Sequence, residues 1–176
     1  QPIGRVWHSK LGSTTRIRKA QLHASMNQQG VKWIKTWVGD KIINQFGFIK
    51  DLKKHRSSMT VFLDEKIEKI KNLHVSLSLL EATSVSEIAE TIRGLEGSSG
   101  RQYFETLSRV LPAEYRFAGR SSRPAQDPFN AFLNYAYGML YGKIEKSLII
   151  AGIDPYLGFL HRDDYNQLSM VYDFIE

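Results

Sequence analysis

Apolar residues recur at helical intervals along most of this 176-residue chain, and no stretch alternates apolar and polar residues as a half-buried strand does. The pattern predicts an all-α fold. Ser13, Thr14 and Thr15 offer an N-cap to RIRKAQLHASM, where Ile17, Ala20, Leu22 and Ala24 interleave with Arg16, Arg18 and Lys19, giving that helix a basic face. From about Val31 to Leu52, Trp33, Trp37, Ile42, Phe46 and Ile49 fall three to five residues apart with lysines between them. From Met59 to Leu80, Phe62, Ile67, Ile70, Leu73 and Leu77 make a single apolar stripe.

Ser84 or Ser86 caps the next segment, SEIAETIRGLEGSSGRQYFETLSRVL. Gly94, Gly97 and Gly100 are expected to bend or break it and to let another helix approach closely. A loop rich in Arg, Pro and Ser runs from Pro112 to Pro128, and Asp127 or Pro128 starts a helix that Gly152 ends. That helix, about residues 128–151, is hydrophobic nearly all round, which predicts the centre of the fold, with Asn130, Asn134, Tyr135, Tyr137 and Tyr141 needing partners if buried. IDPYLGFLH then reads as a turn and a short apolar passage, RDDYNQ as a solvated loop, and Ser169 as the cap of a last helix, MVYDFIE. One domain spanning 1–176 fits this length and apolar content.

Charge changes the picture more than composition does. Residues 1–56 hold twelve Lys and Arg against two acids, whereas residues 57–176 hold twelve against sixteen. A basic first third on a mildly acidic remainder suits one surface that grips a polyanion and another that holds a cation. Nucleic acid and a metal ion would satisfy both. The chain has no cysteine, which excludes disulfides and thiolate zinc sites and suits a reducing, cytoplasmic compartment. Its apolar runs are too short to cross a bilayer, so no membrane is expected. It opens on Gln and is expected to be a piece of a longer protein.

His161, Asp173 and Glu176 stand among Phe, Leu, Met, Val, Ile and Tyr, and Asp173 and Glu176 are three apart on one helix face. A buried carboxylate needs a cation, a proton or a donor. Imidazole with carboxylates suits a divalent ion such as Mg2+ or Mn2+ at a hydrolytic or phosphoryl-transfer centre, although a capping histidine beside solvated acids gives the same residues. Glu96, set among glycines, is a candidate third carboxylate that periodicity alone does not select.

LEGSSGRQYFETL at 95–107, GRSSRPAQDPFNAFLNYAYGMLY at 119–141 and AGIDPYLGFLH with SMVYDFIE at 151–176 together resemble the C-terminal helical catalytic domain of the CRISPR adaptation endonuclease and integrase family, and GRVWHSKLGSTTRIRKAQL is similar to the start of that domain. The resemblance spans almost the whole chain. It implies a metal held by Glu96, His161 and Glu176, with Asp173 as a further catalytic acid beside it, and Asn130 and Tyr137 shaping the site. The implied reaction is metal-dependent: a DNA 3′ hydroxyl attacks a phosphodiester at a repeat edge, inserting spacer DNA, and water in its place gives cleavage. Implied partners are prespacer and repeat DNA, a second copy of the full-length protein, and the small second adaptation protein. Relative to the family, the chain lacks the N-terminal β-rich domain and stops before the final helices, so it is expected to be truncated at both ends. Ser98, Ser99 and Gly100 stand where the family more often has small apolar residues.

For the nucleic acid, Arg16, Arg18, Lys19, Lys32 and Lys35 on the basic third, with Arg120 and Arg123 in the loop, are candidate phosphate contacts. Trp33 and Trp37 are either stacking platforms for bases or core. Two rival readings use the same residues differently: a non-catalytic helical nucleic-acid-binding module with structural acids, and an unrelated metal-dependent nuclease that cuts without joining.

Overall fold

The computed structural model describes residues 14–161 and 165–175. Six helices follow one another: α1 (Thr14–Ser25), α2 (Gln28–Lys54), α3 (Thr60–Ser78), α4 (Val85–Val110), α5 (Pro128–Ala151) and α6 (Ser169–Ile175). Single 3₁₀ turns stand at Ser57–Met59 and Ala113–Tyr115, and there is no strand among the described residues. The all-α class expected from periodicity is the class observed.

The core lies where α2, α3 and α4 pack against one another pairwise. Helix α2 presents Val31, Ile34, Val38, Ile42, Gln45 and Ile49, each three or four residues from the last, so one stripe is buried while Lys32 and Lys50 face outward. Helix α3 answers with Leu63, Ile70 and Leu77, and α4 with Val85, Ile88 and Ile92. Each such aliphatic side chain contributes about 1.5–3 kcal/mol when fully removed from water. One charge enters this packing: Lys66 is buried, with its Nζ 2.6 Å from Glu105 and 2.8 Å from Gln102, so its ammonium is paired and hydrogen-bonded where it leaves solvent.

Helix ends follow the local chemistry. Asn27 caps α2 by accepting from the Gln29 N–H, and Asp127 caps α5 by accepting from the Asn130 N–H, with Pro128 in the first turn. Gly152 ends α5 at φ 76°, a left-handed conformation that glycine adopts without a steric cost. Ser169 is the first residue of α6. Among the described residues no helix is long and apolar enough to cross a membrane.

Two expectations are corrected. Helix α4 runs unbroken through its glycines, and a methyl group built on Gly94, Gly97 or Gly100 meets nothing within 4 Å. Its buried stripe passes through Ile92, Ser99 and Thr106, so those glycines lie off the packed face and do not mediate close helix approach. Helix α5, expected at the centre, is peripheral among the described residues. Only Asn130 and Leu148 of its 24 residues are buried, while Phe132 is 73% and Tyr135 67% exposed. A helix apolar on every side carries no sequence signal for which face turns inward. Here the inward stripe is Asn130, Leu133, Tyr137, Tyr141, Ile144 and Leu148, facing the preceding loop and α6.

Glycine contacts predict opposite outcomes at two positions. Gly94→Ala should stabilise the fold by about 0.5–1 kcal/mol through helix propensity. Gly158→Ala, whose new methyl would stand 2.5 Å from the Ser169 Cβ, should destabilise it by about 1–3 kcal/mol. Urea unfolding of both variants measures the two signs.

Candidate active site

The end of the chain is organised by Asp173. Its side chain is wholly buried, and its carboxylate accepts from the backbone N–H of Phe159, of Leu160 at 3.2 Å and of His161 at 3.0 Å, and from the His161 ring Nδ1 at 2.7 Å. Three consecutive amides and an imidazole thus replace the water that burial removes. Helix α6 supplies the acid, and the GFLH passage wraps its backbone around it. That wrapping requires Gly158, because a side chain there would meet both Ser169 and the Asp173 carboxylate.

A carboxylate in this role only accepts, so the ring donates from Nδ1, and in the neutral imidazole Nε2 then carries the lone pair. His161 is about a quarter exposed, and the Tyr172 ring lies 5.7 Å away. An imidazole oriented through Nδ1 by a carboxylate is the arrangement that metal-binding histidines use.

Glu96 lies on α4, the helix tied to this corner. One turn earlier, Arg93 donates to the Leu160 carbonyl at 2.7 Å, which ties α4 to the residue preceding His161. Glu96 itself forms an ion pair with Lys41 of α2, both side chains being largely buried. It also heads a groove of about 890 Å³ whose lining includes Gly97, Gly100, Arg101, Arg109, Arg116 and Arg120. The glycines keep the floor of that groove flat beside Glu96. Burial raises the Tyr137 phenol above its ordinary value; the Arg120 charge opposes this and the Glu96 charge adds to it.

The other sequence candidates fall into distinct places. Glu176 lies outside the described residues. Asn130 is buried, and its amide is satisfied: it donates to Gly119 O and Asp127 and accepts from Arg120 and the Ser121 N–H. Arg120 is correspondingly built into the loop, with its guanidinium 5.6 Å above the Tyr137 ring. Arg123 is exposed and precedes a cis proline. On α1, Arg16 and Lys19 are exposed and Arg18 stands 3.5 Å from Asp154; none of the described groove residues comes from α1. Lys32 is exposed, whereas the Lys35 ammonium donates to the carbonyls of Ser78 and Leu80 at the end of α3, a structural task that corrects its reading as a phosphate contact. The rings of Trp33, Trp37 and Phe159 contact one another pairwise at 5.7 to 6.4 Å and Trp37 meets Phe174 at 4.7 Å, so the tryptophans bind the chain's end to α2.

Sequence reasoning missed Lys41, Arg93 and the groove arginines Arg101, Arg109 and Arg116. A signal existed for two of them: Arg101 and Arg109 are eight apart on one helix, which places them on one face with Glu105 between. As for a metal, no cluster of three potential ligands stands together among the described residues. By donor type alone, a carboxylate oxygen such as that of Glu96 and an imidazole nitrogen such as the His161 Nε2 would suit a divalent ion with mixed oxygen and nitrogen ligands.

The family model described as "CRISPR associated protein Cas1" matches residues 1–176. The chain belongs to the Cas1 family. It is 34% identical to the CRISPR-associated endonuclease Cas1 1 of Archaeoglobus fulgidus over 99% of this chain and 53% of that protein. It is 35% identical to the CRISPR-associated protein Cas1 3 of Methanobrevibacter ruminantium over 91% of this chain and 48% of that one. The chain therefore spans about half the length of these curated Cas1 relatives. Among solved structures it resembles a chain of a Cas6-RT-Cas1–Cas2 complex, with a TM-score of 0.76 and 26% identity over 90% of this chain and 16% of that one.

Asp173→Ala would leave three buried amides without an acceptor, at about 1–3 kcal/mol each. The expected loss is at least about 3 kcal/mol of unfolding free energy, read from urea denaturation, against less than about 0.5 kcal/mol for a surface control such as Lys19→Ala.

Proposed function

We propose that this Cas1 chain carries the catalytic centre of a metal-dependent DNA endonuclease and integrase that inserts spacer DNA by 3′-hydroxyl attack on a phosphodiester. The observation that carries the reading is the His161 ring, locked through Nδ1 onto buried Asp173, beside the helix that presents Glu96 at the head of an arginine-edged groove. Glu96, His161 and Glu176 would hold Mg2+ or Mn2+. Such an ion neutralises charge that builds on the phosphate and activates the attacking hydroxyl.

The chain's own residues supply the rest. Asp173 fixes the imidazole so that Nε2 points away from its donor pair, and the backbone it gathers keeps that ring from rotating. Arg101, Arg109 and Arg116 along the groove offer guanidinium forks to successive phosphates, in a sequence-independent and salt-sensitive manner. Arg120, held by Asn130, keeps the loop closed over Tyr137 and sets the wall of the groove near Glu96. In the whole protein we place prespacer and repeat DNA on this surface, with a second copy of the protein and a Cas2 partner completing the assembly. The Cas2 partner follows from the named composition of the complex that the fold resembles.

Two outcomes separate this reading from its rivals. Glu96→Gln and His161→Ala in the full-length protein should each lower integration and cleavage on the order of 100-fold or more while DNA affinity changes only a few-fold. Cleavage and joining that survive both changes support a non-catalytic binding module, and cutting without joining supports an unrelated nuclease. Arg101→Gln or Arg109→Gln should weaken binding for any sequence and lower the salt slope by about 1 each, measured by fluorescence anisotropy at several salt concentrations.

A further inference from the structure

Lys41 is the one basic side chain seen to meet Glu96 among the described residues, and the helix turns on both sides of it are packed in place. One turn before it on α2, Trp37 stacks on Phe159 and touches Phe174. One turn after it, buried Gln45 accepts from the buried Ser99 hydroxyl at 2.7 Å, and Ser99 stands three residues past Glu96 on α4. The Lys41–Glu96 pair is thus a rung of a polar ladder between two core helices, with side chains only 19% and 25% exposed. A surface lysine can swing away from a carboxylate at little cost. This one stands on α2 one turn from Trp37 and one turn from Gln45, both of which are packed in place.

We propose that Lys41 is a built-in cation at the active site: its ammonium holds Glu96 in place before a divalent ion arrives, and it must yield that carboxylate, wholly or in part, when the ion binds. The proposal rests on the assignment of Glu96 as a metal ligand. Two consequences follow from elementary electrostatics. The positive charge compensates a largely buried carboxylate, so the fold does not depend on metal to keep Glu96 ordered. It also competes with the ion for the same oxygens and repels it, so Lys41 weakens metal affinity and makes occupancy responsive to the concentration of free metal. A lysine suits this task because its ammonium sits on a flexible stem and can move a short way without unpacking the helix.

The test uses the full-length protein and Mn2+ as the probe, with dissociation constants from the electron paramagnetic resonance signal of the free ion and melting temperatures in chelator and in Mn2+. Lys41→Met should bind Mn2+ about tenfold more tightly than the parent, melt lower in chelator, and gain more on adding Mn2+. Lys41→Arg, which keeps the charge, should stay near the parent affinity. Lys41→Gln, neutral but able to donate to Glu96, carries the same expectation of tighter binding should the methionine variant fail to fold. Unchanged or weaker Mn2+ binding in the neutral variants overturns the role of Lys41. Glu96→Gln separates the two layers: loss of Mn2+ binding there, with neutral Lys41 variants unchanged, removes only the present inference. Parent-like Mn2+ binding by Glu96→Gln, or none by the parent, overturns the metal assignment and this inference with it.

Discussion

Removing a carboxylate from water costs several kcal/mol unless donors take the place of the lost solvent, and at Asp173 three consecutive backbone amides and one imidazole do so. The same four contacts decide the path of residues 158–161, the absence of a side chain at Gly158, and the tautomer of His161. They also fix where α6 sits, because Asp173 lies in the middle of a seven-residue helix too short to hold itself. The stacked rings of Trp33, Trp37 and Phe159, with Phe174 against them, then fasten this assembly to α2. A chemical side chain and its scaffold are here one cooperative unit.

Helix α4 divides its labour by face. Its inward stripe packs into the three-helix core, its neighbouring residues Glu96 and Ser99 make the polar rungs to α2, and the remaining side is left open by Gly97 and Gly100. The open side becomes a groove because the loop from Arg116 to Arg120 stands opposite it, held by the Ser108 hydroxyl at Phe117 and by Phe117 stacked 4.1 Å from Phe129. Asn130 completes the loop with five hydrogen bonds from or to its backbone and amide.

Much of this was readable in the residues themselves. Helical periodicity, a start at Asp127 or Pro128 and the Gly152 stop describe α5 to within a residue, since capping and φ preference are local properties. His161 and Asp173 stood out because charge on an apolar strip demands a partner, and they prove to be each other's partners. Glu96 was different: a glutamate in a helix is ordinary, and only the likeness to a family singled it out. Lys41 and Arg93 were invisible for the same reason, since a basic residue on an amphipathic helix looks like any solvated position until the facing element is in place. The placement of α5 was likewise illegible, because a helix with apolar residues on all sides has no orientation of its own.

That outward side of α5 has a practical side as well. Phe132, Tyr135, Met139 and Ile150, all more than half exposed, line up at helical spacing with Gly138 and Gly142 between them, where an added methyl would meet open space. An apolar strip of this length promotes self-association in water. Handling these 176 residues as a purified polypeptide will call for dilute samples, mild surfactant or polar replacements along that strip, chosen well away from His161.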